Sequence, residues 1–126
     1  MYWMTEAIKI KYALIRYYYT ELFLVSTEGT GSFFKPMFFE FPDDPRTFTD
    51  ITINVMLGEA LKLSINTLNT DKVTTDYYFP TGLWCSIMGT APETCFTSPS
   101  GGITKTFPSE LNDYQVHLRQ GYIVPL

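Results

Sequence analysis

Between residues 6 and 26 the apolar positions recur at intervals of three and four. Ile10, Leu14, Tyr18, Leu22 and Val25 form one stripe, the period of a helix with a buried face. A second set, Ile8, Tyr12, Ile15, Tyr19 and Phe23, widens it and predicts a helix covered on more than one side. Gly29 and Gly31 supply a left-handed cap and a loop to end it. The pattern then changes. From Phe33 to Phe41 the chain is apolar with almost no helical period, carries Lys35 and Glu40 near the ends, and closes on Pro42-Asp43-Asp44-Pro45. This predicts a strand buried on both faces, as in a parallel sheet or barrel, followed by a turn that the prolines force. Such a strand needs more neighbours than the chain supplies, so the chain reads as a piece of something larger.

Asp50 to Leu57 suits a short helix, with Thr49 or Asp50 as its N-cap and Gly58 as its end. Ala60 to Ile65 alternates and reads as a strand. After it the grammar shifts: Leu68 to Asp76 is polar and turn-rich, and Tyr77 to Trp84 is a strand entering a Pro80-Thr81-Gly82 turn. Ala91 to Gly102, rich in Ser, Thr, Pro and Gly, reads as a loop. Tyr114 to Arg119 alternates strictly, and Gly121 introduces a second short strand from Tyr122 to Pro125. The first third is therefore α/β and the remainder all-β, with a change near residues 66 to 76 and no internal repeat.

Composition narrows the partners more than the fold. The 126 residues are enough for one domain that buries roughly two-thirds of its unfolded surface. Aromatics make up 17% of them, which fits either a packed core or a surface that stacks on sugars. Net charge is −4, and no basic cluster goes beyond Lys9, Lys11 and Arg16, so the electrostatic footprint for nucleic acid is missing. No apolar run approaches the roughly twenty residues that cross a bilayer. Glu6 comes too early for the start to read as a signal peptide, so a secreted or lysosomal protein would carry its signal upstream. Cys85 and Cys95 are close enough for a disulfide across a hairpin or loop, or are a pair of reduced structural thiols. With one histidine and no thiol cluster around it, a metal site is not expected.

The motifs of nucleotide-binding loops, nucleophile elbows and zinc proteases are absent. His117 shares a strand face with Gln115 and Arg119, opposite Tyr114, Val116 and Leu118, which makes it a polar-face residue rather than a catalytic one. Asp43 and Asp44 are adjacent carboxylates, but neighbours in sequence rarely converge on one substrate atom, and such turns cap themselves. Glu40 stands at the carboxyl end of the predicted strand, where barrels place their active sites. It equally suits an ion pair with a base outside this chain.

Five blocks in order resemble glycoside hydrolase family 31, the α-glucosidase family. They are the tyrosine-rich helix from Ala13 to Thr20, Lys35 to Asp44, Asn54 to Leu61, Tyr78 to Trp84, and Val116 to Pro125. Lys35 stands where the family usually has arginine, Cys85 where tyrosine is common, and the tyrosine-rich helix lacks a proline. The resemblance implies an α/β part followed by an all-β part. Residues 1–65 would be the last helix and strand of a (β/α)8 barrel and residues 66–126 part of the proximal β-sandwich, an incomplete fold on its own. Cys85 and Cys95 would then pin a sandwich loop.

The activity implied is retaining hydrolysis of terminal α-linked glucose from oligosaccharides, by two carboxylates about 5 Å apart. Those carboxylates and the substrate-binding residues would lie upstream of residue 1. No catalytic, binding or metal residue is therefore assigned here, no cofactor is implied, and the chain alone is expected to be inactive. Its partner would be the upstream portion of the same enzyme, through which it meets oligosaccharide, in a lysosomal or secreted setting. Two other readings stand beside this one. The chain is a non-catalytic truncated family member serving as an interaction or structural subunit, or it is a carbohydrate-binding β-sandwich that uses Trp84 or Tyr77.

Overall fold

A computed structural model describes residues 2–29, 31–66, 71–89, 94–110 and 113–126. Two helices come first, α1 (Tyr2–Ala13) and α2 (Ile15–Glu28). The predicted helix is present but jointed at Leu14, whose backbone leaves the helical range at φ −95° and ψ 3°. Hydrogen bonds from Leu14 N–H to Ile10 O and from Tyr18 N–H to Leu14 O bridge the joint. Gly29 ends α2 in the left-handed conformation, its N–H donating to Val25 O, as expected of a glycine cap.

The anchor of the helices lies beside the expected stripe. Leu14 is buried and Ile10, Tyr18 and Val25 are half-buried, but Leu22 is exposed. Tyr17 is buried instead. Its hydroxyl donates to Leu57 O at 2.7 Å and accepts from Ala60 N–H at 3.2 Å. Gly58 lies between those two residues at φ 65°, and a Cβ there would overlap the Tyr17 hydroxyl and the Glu21 carboxylate. Glycine is required both for the backbone and for the approach of the ring.

Among the described residues eight strands follow: β1 (Phe34–Pro36), β2 (Asn54–Leu57), β3 (Leu61–Ser64), β4 (Thr74–Phe79), β5 (Gly82–Gly89), β6 (Cys95–Ser98), β7 (Ile103–Pro108) and β8 (Gln115–Arg119). Six build one antiparallel sheet in the order β1-β2-β3-β8-β5-β6, and β4 pairs with β7 in a second. The large sheet is continuous across residues 65 and 66, because β3 pairs with β8 from Leu61↔Leu118 to Ser64↔Gln115. Met56, Phe79, Trp84 and Phe107 centre the core between the sheets, while Leu14, Tyr17, Leu57 and Leu61 form a second core under the helices.

The strand over Ala60–Ile65, the strand entering the Pro80 turn and the strand ending at Arg119 are where the alternation placed them. Several other expectations are corrected. Phe33–Phe41 is not a strand buried on both faces. Three residues form β1 at the edge of the sheet, then Met37–Phe39 turns tightly, and Phe34 and Phe39 are exposed. Pro36 explains this, since it has no N–H for a ladder and is tolerated only at an edge. The phenylalanines separate accordingly: Phe38 stacks on Phe48 at 4.8 Å, while Phe41 packs on Trp84 at 6.2 Å.

Asp50–Leu57 is not a helix: it is a turn that leads into β2, followed by β2 itself. Ile51, Thr52, Ile53 and Val55 are β-branched, and Asp50 takes a left-handed φ of 49° that breaks a helix at its start. The capping carboxylate is Asp44, which accepts from Arg46 N–H at 3.0 Å and opens the short turn Pro45–Phe48. Part of the expected turn region is strand from Thr74 onward, and part of the expected loop is β6. Residues 68–70 and 91–93 of those two segments lie outside the described residues. Tyr122 to Pro125 joins no ladder and continues past the Gly121 turn.

Candidate functional site

The residues singled out for chemistry fall into two places. The first is an open cleft of about 370 Å³ between the Pro42–Pro45 turn and the Pro80 turn, lined by Glu40, Phe41, Asp43, Asp44, Thr81 and Gly101 among others. Glu40 is held by two cations. One carboxylate oxygen receives Lys35 Nζ at 2.5 Å and the other receives Arg119 Nη1 at 3.1 Å. Both partners belong to this chain, one on β1 and one at the end of β8, which corrects the expected external base. The Arg119 guanidinium also lies 4.3 Å from the centre of the Phe41 ring, a cation–π contact that holds it over the turn.

Asp44 is equally engaged. Its second oxygen receives the Tyr78 hydroxyl at 2.5 Å. Burial, with the Asp44 carboxylate beside it, pushes the Tyr78 hydroxyl up to about 12. Arg46 lies 4.2 Å above the Tyr78 ring and donates to Thr104 Oγ1 at 2.7 Å. Gly102 stands where a Cβ would overlap that ring. Asp43 lines the cleft and is exposed. The arrangement braces turns: Glu40 is shared by two cations and Asp44 by a phenol and a backbone amide.

The second place is the interior. His117 was expected on a polar, solvated face, and the structure buries it completely. Both faces of β8 are covered, one by the helices and one by the second sheet, so alternation no longer separates wet from dry. The ring lies against Phe79, Phe96 and Phe107. Lys62, which nothing in the sequence singled out, is buried opposite it in the ladder. Trp84 and Tyr77, the residues of the sugar-binding alternative, are core residues with at most 1% exposure, and Trp84 Nε1 donates to Pro80 O at 2.9 Å. Neither ring face is open to a ligand. Cys85 and Cys95 are joined by a disulfide and are direct partners in the β5–β6 register. Among the described residues no group of three or more His, Cys, Asp or Glu is placed to hold a metal ion, and no helix is long and apolar enough to cross a membrane.

The architecture is thus two helices followed by an antiparallel six-stranded sheet and a separate two-stranded sheet of β4 and β7. Residues 30–124 match the model for the glycosyl hydrolase family 31 C-terminal domain. The chain belongs to glycosyl hydrolase family 31. It is 33% identical to the lysosomal alpha-glucosidase of Bos taurus and 32% identical to that of Rattus norvegicus, in each case over 98% of this chain and 14% of the relative. It is also 32% identical to probable maltase-glucoamylase 2 of Homo sapiens, over 95% of this chain and 4% of that protein. Among solved structures, a family 31 dextranase of Flavobacterium johnsoniae complexed with isomaltotriose superposes with a TM-score of 0.77 at 25% identity, over 96% of this chain and 14% of that one. The chain thus spans about 14% of the lysosomal alpha-glucosidases it matches, and its mostly β fold is consistent with the family's C-terminal β domain.

Proposed function

We propose that this chain is the C-terminal structural portion of a retaining family 31 α-glucosidase that removes terminal α-linked glucose from oligosaccharides. In this reading residues 1–29, which precede the matched domain, are the end of the barrel domain, and the strands that follow belong to the proximal β-sandwich. The catalytic carboxylates belong to the preceding portion, where two groups about 5 Å apart attack the anomeric carbon and protonate the leaving oxygen. This chain carries no catalytic residue and is inactive alone. Its relatives support a lysosomal or secreted setting, and the Cys85–Cys95 disulfide supports an oxidising one.

The observation that carries the reading is the outer face of α1 and α2. Ile8, Tyr12, Ile15, Tyr19 and Phe23 are all exposed, Tyr19 by 74%, and they follow one helical stripe across the Leu14 joint. They precede the residues matched to the C-terminal domain, so the stripe belongs to the part of the enzyme that adjoins it. An apolar stripe of this length is an association surface, and the preceding catalytic portion is the partner proposed for it.

The test is peptide mapping of native material together with an α-glucosidase assay on maltose, with and without the catalytic portion of a family 31 enzyme. Peptides from barrel strands that copurify with this chain, and hydrolysis only when both are present, are the expected result. A chain of 126 residues that copurifies with an unrelated protein and hydrolyses nothing would replace this reading with the non-catalytic subunit.

A further inference from the structure

The core between the two sheets encloses two basic side chains. Lys62 on β3 and His117 on β8 are ladder partners with no exposed surface. Lys62 Nζ donates to Asn54 Oδ1 at 2.9 Å and to the Ser64 hydroxyl, and lies 4.1 Å from the centre of the Phe79 ring. That ring belongs to β4 and also meets the His117 ring edge-on at 4.8 Å. Phe107 of β7 closes the other side of the imidazole at 5.4 Å. Neither ring nitrogen of His117 has a hydrogen-bond partner among the described residues. One aromatic wall, contributed by the two-stranded sheet, therefore seals both bases from water.

We infer that Lys62 and His117 form an acid-sensitive latch between the sheets, in which uptake of a proton opens the packing of β4 and β7 on the six-stranded sheet. The inference does not depend on the glycosidase reading. A proton arriving from solvent on the imidazole would place a cation beside Lys62. The other ionisable groups that act here do not neutralise it: Lys105 of β7 has the wrong sign, Tyr77 of β4 is a neutral phenol, and Asp113 acts on Tyr77 rather than on His117. Burial, then Lys62 and Lys105, hold His117 down to about 3, and burial lowers Lys62 well below the usual lysine range. Hydration of the cation requires the aromatic wall to move, because an unpaired buried charge is otherwise too unfavourable.

The sign follows from the unfolded reference. Unfolded His117 binds a proton near 6.5 and folded His117 only near 3, so stability is fully present above 6.5 and is lost as the pH falls toward 3. Between pH 7 and pH 5 the ratio of folded to unfolded chain should fall by about 25-fold through this residue.

The chain has one histidine, so the experiment is direct. Its imidazole carbon is labelled with 13C and followed by NMR from pH 7.5 to 4.5, alongside urea unfolding of the wild type, His117→Phe and Lys62→Met at pH 7 and 5. The folded-state resonance should stay neutral over that range while the unfolded chain titrates near 6.5. His117→Phe should lose the 25-fold pH dependence. A folded imidazole that titrates near 6.5 would overturn the latch, even if both variants fail to fold, and so would a variant with the pH dependence of the wild type.

Discussion

Helix α2 and strand β8 carry similar mixtures of apolar and polar side chains, and the fold treats them in opposite ways. On α2, Ile15, Tyr19 and Phe23 stand in solvent. On β8, Gln115 and His117 are fully buried. What separates them is the number of neighbours. The strand has sheet partners on both edges and cover on both faces, so even its polar residues are enclosed. The helices rest on the sheet through Leu14 and Tyr17, with Ile10 and Tyr18 half-buried beside them, and their outer face is exposed. Burial here reports how complete the surroundings are, more than how apolar the residue is.

Substitutions sharpen that contrast. Phe79, fully buried between the sheets and in contact with Trp84, Phe96, Phe107 and His117, should be the most sensitive position. Phe79→Ala is expected to lose about 3–5 kcal/mol in urea denaturation, and an effect below about 1 kcal/mol would mean that the inter-sheet core is not packed as described. Opening the disulfide by the double change Cys85→Ala and Cys95→Ala should lower stability by about 2–3 kcal/mol, the expectation for a closed loop of this size. Equal midpoints with and without reductant would show that the bond adds nothing to the pairing of β5 and β6.

Tyr17→Phe removes the hydroxyl that bonds Leu57 O and Ala60 N–H. It should cost about 1–2 kcal/mol and raise amide exchange at Ala60; unchanged exchange there would detach the helices from the β2–β3 turn. The smallest effect is expected on the outer stripe. Phe23→Ser should change the stability of the chain by no more than about 0.5 kcal/mol, yet weaken its association with the catalytic portion in a binding assay. A large loss of stability would break the comparison, because it would mean that the stripe is already covered.

Much of this could be read from residue order. The strict alternation of Gln115 to Arg119 gave a strand because each face has its own neighbours. Gly29 ends the helix because few other residues adopt its backbone, and the pairing of Cys85 with Cys95 needed only a short reach. The misreadings share a physical cause. Phe33–Phe41 has the composition of a buried strand, but Pro36 removes a ladder donor and the rings disperse to Tyr18, Phe48 and Trp84. His117 sits on the face that alternation marks as polar, and nothing local says that a second sheet covers that face. Lys62 was passed over for the same reason. Glu40 meets Arg119 from 79 positions away, a contact that no local pattern encodes. In the cleft, Asp43 and Asp44 were visible as a turn, but the Tyr78 phenol that holds Asp44 comes from β4 and was not.

The order β1-β2-β3-β8-β5-β6 has a consequence for how the chain is made. Strand β8, near the centre of the large sheet, is translated after both strands that it pairs with. Until residues 115–119 emerge, β3 and β5 each present an unpaired edge, and the two halves of the sheet have no backbone bonds between them. Folding of the sheet is therefore held until β8 has been made, when a single later strand joins what has been waiting on either side. A nascent chain stalled a few residues short would expose two open edges at once, the form in which β proteins are most easily captured by chaperones or by one another.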